Sequence, residues 1–477
     1  MMASERGGPQ QILATRSGGS ALRLAILAAV WVLAVFLSAS LKPAQALPAF
    51  ARQTGEPCAA CHTAFPELTP FGRRFKLSGY LMEGGGPSSH LAAMFHETFT
   101  NTQSKQDAPP SPGLKTDDNT VLQQATALIG GKIYGDLDLG VFIQLTAYPG
   151  TGQVNLDQSD ARYVKPIQLF GKDGFFGIDA TNAPTMEDAW NTLSAWSFPE
   201  ISPMFAANSI PGTHMDYLST QVAGAGMYVF LDDKYYADVH LYGGLNKSTL
   251  EVLGEQPGPT PDIQAGAIPY WRFAFEPHWG DHYLMVGTSG LYGQTIPGGV
   301  YGVGTDKYLD LGLDSEYQYD GDKYSVTVKA SDVYETQQYN ASFLSGATSN
   351  IRDWENNLHI NASYVWDHTY SISAGIFDVV RSKDLNLNTI AVGGTPGTGA
   401  PFASSPNGNG LVFDLAYIPF SHGSPWPYST YNERFGIQYI KYNQLYGGNN
   451  NFDGTGLGRT HNAAGNNTLF LYAWLMW

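Results

Sequence analysis

Beyond about residue 120, apolar and polar residues alternate along the chain, which is typical of β-strands with one apolar and one polar face. The segments Met227–Leu231 and Tyr235–Tyr242 flank Asp232-Asp233-Lys234, a short polar run that predicts a tight hairpin turn. The same pattern recurs in three later pairs: Tyr270–Glu276 with Tyr283–Leu291, Tyr308–Tyr319 with Tyr324–Tyr334, and Leu358–Trp366 with Tyr370–Val380. The sequence therefore predicts a series of antiparallel hairpins.

The connections between the predicted strands fall into two length classes. Short turns alternate with long polar segments, such as Asn386–Asn409 and Gly447–Asn467, and Asn101–Asn119 also reads as a loop because it has no periodicity. Outer-membrane barrels have short periplasmic turns and long outer loops. A soluble β-sandwich, the competing interpretation, would have shorter loops and fewer aromatic strand ends. The loop pattern therefore favours an all-β, transmembrane outer-membrane barrel.

The size of the barrel follows from the spacing of the hairpins. At about 48 residues for each hairpin with its long loop, the chain from Leu91 onward predicts about 16 strands. A barrel of that size leaves an aqueous lumen with room for a small plug. The last segment, Thr468–Trp477, is amphipathic and ends on an aromatic residue, similar to the C-terminal recognition signal of outer-membrane barrels. Contact with outer-membrane lipid is therefore expected along the strands.

Composition agrees with a membrane barrel. The chain has 28 Tyr, 24 Phe and 10 Trp, and only 14% of its residues are charged, whereas about 25% is usual in soluble proteins. The net charge of −16 argues against a nucleic-acid partner and would attract cations weakly. Acidic residues lie in predicted loops and turns: Asp117, Asp118, Asp232 and Asp233. Turns favour Asp for conformational reasons, so the sequence assigns no protein ligand for a metal substrate.

The first 46 residues have the pattern of a secretory signal peptide. Arg16 and Arg23 precede or border the apolar run Leu24–Leu37, and Ala44–Ala46 offers small residues at the cleavage position. A single transmembrane anchor is the alternative. The apolar run is short for a span of about 20 residues, which favours cleavage and export.

The motif Cys58-Ala59-Ala60-Cys61-His62 carries the most specific chemistry in the chain. Two thiols separated by two residues and followed at once by a histidine match the attachment sequence of c-type haem. Each thiol forms a thioether bond, and His62 becomes the proximal ligand of the iron. The alternatives are a redox dithiol and half of a zinc site. Because these are the only two Cys in the chain, no second pair completes a zinc site, and we expect one covalent haem c.

Residues 47–94 are predicted to form a small helical cytochrome c module, followed by the barrel in residues 95–477. Thr69 is suited to cap a helix that begins at Pro70 and stops at Gly79. Fewer than about 50 residues cannot bury a large core, so the module depends on the haem and on its surroundings.

The module and barrel together resemble a known family. The stretch Pro48–Gly55, the motif Cys58–His62 and the stretch Phe65–Arg73, joined to a C-terminal barrel, resemble the fused monohaem cytochrome-porins of iron-oxidising bacteria. The resemblance implies an Fe(II):cytochrome c oxidoreductase of the bacterial outer membrane. Extracellular Fe(II) would be the electron donor and a periplasmic c-type cytochrome the acceptor. Related haem modules occur in other exported cytochromes, so an electron conduit for a mineral, an electrode or reduced sulfur is the alternative.

The second axial ligand is less well defined by the sequence. Met94 lies at the start of the predicted first strand, within reach of a haem whose own helix ends near Gly79. A Met ligand would raise the reduction potential, which suits an acceptor of electrons from iron. Met94 is the candidate distal ligand, and its rivals are Met82, His90 and His96.

Basic residues cluster in the predicted module of this acidic chain: Arg52, Arg73, Arg74 and Lys76. The simpler interpretation is a solvated helix face. Because Arg forms bidentate charged hydrogen bonds with carboxylates, Arg52 and Arg73 are also candidates to bind the haem propionates.

Overall fold

The computed structural model describes most of the chain. The described residues are 48–85, 89–133, 137–206, 212–257, 260–387, 407–423, 431–450 and 461–477. The predicted signal peptide and parts of the predicted loops Asn386–Asn409 and Gly447–Asn467 lie outside these residues.

Sixteen long antiparallel strands form the wall of the molecule within the described residues. They are β1 Leu91–Thr102, β2 Asn119–Lys132, β3 Leu139–Tyr148, β4 Asp160–Leu169, β5 Lys172–Thr181, β6 Val222–Leu231, β7 Tyr235–Gly244, β8 Ala267–Phe275, β9 His282–Ile296, β10 Asp306–Asp320, β11 Tyr324–Gln338, β12 Arg352–Trp366, β13 Tyr370–Arg381, β14 Gly408–Tyr417, β15 Asn432–Gln444 and β16 Thr468–Met476. Three shorter strands extend the hairpins: Gln153–Leu156, Ile263–Gln264 and His278–Trp279.

The sheet closes on itself through its first and last strands. In β1, Phe99 lies opposite Thr120 of β2 on one side and opposite Leu471 of β16 on the other. The backbone of the C-terminal Trp477 also exchanges two hydrogen bonds of 2.8 Å with Ala93. The predicted closed barrel of about 16 strands is therefore confirmed.

The four hairpins predicted from the sequence are all present. The pairs are β6 with β7, β8 with β9, β10 with β11, and β12 with β13. At the turns, Asp232 and Asp233 have φ of 56° and 49°, and Asp367 and His368 have φ of 52° and 49°. Asp tolerates this left-handed conformation better than most residues, which explains why an Asp-rich run marks the turn. These turns define the short-turn end of the barrel.

The wall has an apolar outer face and a polar inner face. In β10, Leu311 and Leu313 are exposed on the outside, with Leu313 67% exposed, while Asp310, Asp314 and Glu316 are buried inside the barrel. Alternating strands bury one face in lipid and turn the other toward the lumen. The exposed leucines are thus the lipid-facing surface.

Aromatic side chains border this apolar surface at both ends. Near the short turns, the rings of Tyr370 and Tyr417 stack with centroids 5.2 Å apart. At the other end, Tyr334 and Trp354 stack at 6.1 Å. Such aromatic bands lie at the two membrane–water interfaces of outer-membrane barrels. The chain is a barrel of the bacterial outer membrane, as predicted.

Helices in the described part of the chain are short. They are α1 Pro48–Thr54, α2 Cys58–Cys61, α3 Pro70–Leu77, α4 His214–Tyr217, α5 Lys247–Val252 and α6 Asn340–Leu344, with 3-10 turns at Pro297–Gly299 and Ala463–Asn466. The hydroxyl oxygen of Thr69 accepts a 3.1 Å hydrogen bond from the Gly72 amide, so the predicted N-cap of α3 is confirmed. None of the described helices has the length and apolar character needed to cross a membrane.

Residues 48–85, called the plug here, lie inside the barrel. Buried ion pairs join Arg73 to Glu276 at 3.2 Å and to Glu316 at 3.1 Å. On a neighbouring strand, Lys329 Nζ lies 2.7 Å from Glu67 Oε1. These contacts reach several strands of the wall, and they hold the plug within the lumen.

The plug occupies the short-turn end. His368, in the turn between β12 and β13, donates from Nδ1 to the carbonyl oxygen of His62 at 3.0 Å. Arg74 pairs with Asp233 in the turn between β6 and β7, and the Ala59 amide donates to the Ser421 carbonyl at 3.0 Å. Since short turns face the periplasm in outer-membrane barrels, the plug lies at the periplasmic end.

A second segment inside the barrel lies on the long-loop side of the plug. Residues 182–206, called the inner loop here, leave β5 and run through the lumen rather than over the rim. Asp188 forms an ion pair with Arg272 of β8 at 3.0 Å, and Gln438 of β15 donates to the Ile201 carbonyl at 3.1 Å. The inner loop therefore crosses from one side of the wall to the other.

Candidate functional site

The motif Cys58–His62 is held as one turn of helix against α3. The His62 amide donates to the Cys58 carbonyl at 2.9 Å, and the Thr69 hydroxyl donates to the Ala60 carbonyl at 2.6 Å. Gly72 permits this packing, because a Cβ atom at that position would lie 2.2 Å from the Cys61 carbonyl oxygen. Thr69 thus caps α3 and fixes the motif at the same time.

The ring of His62 is oriented by a backbone carbonyl. Its Nδ1 atom lies 3.2 Å from the carbonyl oxygen of Pro66. A carbonyl can only accept, so Nδ1 carries the proton and Nε2 keeps its lone pair. Burial lowers the pKa of His62 to about 4, which keeps the imidazole neutral. This is the tautomer and charge state of a metal-binding histidine.

The two thiols are buried and are not joined by a disulfide. Burial raises the pKa of Cys61 to about 12, and Cys58 and Glu56 add to the effect. A redox dithiol requires a lowered pKa, so this environment disfavours that alternative. Among the described residues, no cluster of three metal-ligating side chains includes either thiol.

A cavity adjoins the motif between the plug, the wall and the inner loop. Cys61 and His62 line it from the plug. Its surface is mostly apolar, and six aromatic residues contribute to it: Phe50, Phe65, Phe75, Tyr80, Phe142 and Trp196. Sites for organic cofactors in proteins are concave and mostly apolar. The apolar and aromatic lining of the cavity suits a flat apolar macrocycle.

Two methionines line the cavity. Met94 of β1 is buried and faces it from the wall, and Met186 faces it from the inner loop. Met94 is predicted from the sequence as an iron ligand, whereas Met186 lies in a segment for which the sequence predicts no role. The rival residues Met82, His90 and His96 are not among those that line the cavity.

The four basic residues of the plug have separate environments. Arg52 donates to the backbone carbonyls of Ser89, at 3.1 Å, and Leu91. Arg73 is engaged by the wall carboxylates described above, and neither arginine lines the cavity. Lys76 does line it and donates to the Asp188 carbonyl at 2.8 Å. Burial lowers the pKa of Lys76 to about 8. Propionate binding by Arg52 and Arg73 stays a prediction.

The chain matches no protein-family model and no curated protein sequence. Among solved structures, it is similar to OprB of Pseudomonas putida with a TM-score of 0.44 and 12% identity, over 84% of this chain and 99% of that one. An anion-selective porin from Comamonas acidovorans gives a TM-score of 0.43 and 9% identity, over 82% and 98%. OmpF of Salmonella typhi gives 0.42 and 11%, over 81% and 97%. By its own architecture, this chain is a porin-like barrel of the bacterial outer membrane.

Proposed function

We propose that the chain is a monohaem cytochrome-porin that oxidises extracellular Fe(II) and delivers single electrons to a periplasmic c-type cytochrome. Cys58 and Cys61 attach one haem c covalently, and His62 is the proximal ligand. This assignment also follows from the sequence resemblance to fused cytochrome-porins described above.

The observation that carries the proposal is the position of His62. The imidazole is neutral and oriented by the Pro66 carbonyl, and His62 and Cys61 both line an apolar cavity. A solvent-exposed histidine would have neither the buried contact with the Pro66 carbonyl nor an apolar cavity beside its ring. Met94, on the wall of the same cavity, would hold the iron on the side away from His62, and Met186 is a second candidate for this role.

The plug and the inner loop both line the cavity. The inner loop covers the cavity on the side of the long loops, and the plug covers it on the side of the short turns. When bound, the haem supplies a one-electron couple that oxidises Fe(II) to Fe(III) and is reoxidised by the periplasmic cytochrome. Fe(III) is nearly insoluble at neutral pH, so oxidation on the outer side keeps the product out of the periplasm.

Reduction by Fe(II) tests this function. Detergent-purified holoprotein in its oxidised form is mixed anaerobically with Fe(II), and the haem absorbance is followed over time. The matched arms contain sulfide or a reduced electrode at the same pH. We expect Fe(II) to reduce the haem fully and faster than the other donors. No reduction by Fe(II), with fast reduction by another donor, would support the alternative conduit.

A further inference from the structure

A second group of ligand-type side chains lies in the lumen beside the cavity. Glu187 of the inner loop and Asp238 and His240 of β7 place one donor atom each within 4.8 Å of one another, and all three residues are buried. Glu187 directly follows Met186, which lines the cavity. The group is thus next to the proposed haem site but separate from its ligands.

The imidazole of His240 is oriented as in many metal centres. Its Nδ1 atom lies 2.7 Å from Oδ1 of Asp238. A carboxylate oxygen accepts a hydrogen bond, so Nδ1 donates to it and Nε2 is available as a ligand. Nε2 lies 3.5 Å from Oε1 of Glu187 and 3.8 Å from Oδ2 of Asp179 on β5. A carboxylate that fixes the far nitrogen of a histidine is the usual outer partner of a metal-bound imidazole.

Several polar atoms that face this point have no hydrogen-bond partner despite complete burial. Among the described residues, they are Nε2 of His240, Oε2 of Glu187 and Oδ1 of Asp179, whereas Oδ2 of Asp179 lies 3.3 Å from the Arg162 guanidinium. Leaving such atoms unpaired is unfavourable, and more so for charged groups, because burial removes their hydrogen bonds to water. Tyr242 does donate to the other oxygen of Glu187, so the carboxylate is held in place while one oxygen stays available.

Negative charge is in excess around the group. The carboxylates of Asp160, Asp179, Glu187 and Asp238 face the buried guanidinium of Arg162, which lies 2.7 Å from Asp160 and 3.3 Å from Asp179. The buried ammonium of Lys76 is a second cation that acts on Asp160 and Glu187, so the four carboxylates still outnumber the two cations. Buried charges require compensation by opposite charge or by a metal ion. A divalent cation would supply it.

Gly226 makes the arrangement possible. It lies on β6 between Asp179 and His240 in the strand register. A Cβ atom at this position would be 2.4 Å from both Cγ and Nδ1 of the His240 ring. Because Gly226 has no side chain, the His240 ring can extend across β6 toward Asp179.

We propose that His240, Glu187 and Asp179 bind a divalent first-row transition-metal ion, with Asp238 as the residue that positions His240. One imidazole and two carboxylates form a mixed nitrogen and oxygen set that suits such ions. Two ligands about 2.1 Å from one ion lie roughly 3–3.5 Å apart, which matches the 3.5 Å between Nε2 of His240 and Oε1 of Glu187. Oδ2 of Asp179 lies somewhat further, 3.8 Å from the same nitrogen. The metal site itself does not depend on the function proposed above. The identity of the ion as substrate Fe(II), held beside the haem cavity, does rest on that function.

The test uses Mn²⁺ as the probe, because it occupies mixed nitrogen and oxygen sites without reducing the haem. Detergent-purified full-length protein is titrated with Mn²⁺, and the free ion is followed by electron paramagnetic resonance. We expect one bound Mn²⁺ per chain. Glu187→Gln and His240→Gln each lower the affinity about tenfold or more, and Gly226→Ala lowers it without removing a ligand.

His214→Gln is the matched control, since His214 is another buried lumen histidine outside this cluster. We expect it to bind Mn²⁺ as the wild type does. Retained mobility shift of each unheated variant on a denaturing gel shows that the barrel is folded. Absence of Mn²⁺ binding to the wild type, or equal affinity in folded Glu187→Gln and His240→Gln variants, would overturn the site. Mn²⁺ binding without haem reduction by Fe(II) would support the site and contradict the proposed function, and reduction without binding would do the reverse.

Discussion

The Nδ1 atom of His62 lies 3.2 Å from the carbonyl oxygen of Pro66, four residues further along the chain. This contact selects the tautomer of the imidazole and leaves Nε2 for a metal. It also sets the direction of the ring inside a buried plug, so the ligand does not have to be ordered when iron binds.

The first prediction concerns His62 itself. In His62→Gly the two thiols remain, so covalent haem is retained while the proximal bond is lost. The absorption spectrum should change to that of a high-spin haem, and added imidazole should restore it, because the vacated space can admit the free ligand. His96→Gln is the control, since His96 is buried but does not line the cavity. An unchanged spectrum in His62→Gly would remove this residue from the iron.

The second prediction concerns the distal ligand. A Met ligand favours ferrous haem, so Met94→His should lower the reduction potential, and the same change at Met82 should have little effect. A fall of about 59 mV costs roughly tenfold in the equilibrium constant for one electron, so reduction by Fe(II) should become less complete. Redox titration of both variants and of Met186→His is the measurement. A lower reduction potential in Met186→His, with an unchanged potential in Met94→His, would assign the distal ligand to Met186 of the inner loop instead.

The third prediction concerns the attachment of the plug. Lys329→Met leaves Glu67 and Glu316 buried without this cation, and breaking a buried pair costs about 3–5 kcal/mol. Amide hydrogen exchange in residues 61–79 should become faster in that variant. Arg74→Gln removes a half-exposed pair with Asp233, worth about 0–1 kcal/mol, and is the control. Equal exchange in the two variants would show that the Lys329 pair does not hold the plug.

Much of the fold could be predicted because its signals are local. Alternation over ten residues identified the hairpins, and the Asp-rich turns could be placed because left-handed backbone favours few residue types. Thr69 was recognised as a cap from its position before Pro70 and a helical run. In each case the residues that determine the structure are neighbours in the sequence.

The inner loop was not predicted, because its burial depends on partners far away in the chain. Asp188 pairs with Arg272, and the backbone of Ile201 meets Gln438, which no local pattern reveals. Met186 was missed for the same reason. The polar residues Asp238 and His240 are at alternate positions of a predicted strand, so they could have been assigned to one face, but Glu187 could not have been joined to them.

Covalent haem at the motif is the central claim, and intact-mass measurement of the denatured protein tests it most directly. The wild type should have the mass of its mature polypeptide plus one haem. Cys58→Ala and Cys61→Ala should lose most or all of this added mass, while an alanine at Met94 should keep it, because thioether bonds form only at the two thiols. A wild-type mass equal to that of the polypeptide alone, or full haem mass in both Cys variants, would contradict the account.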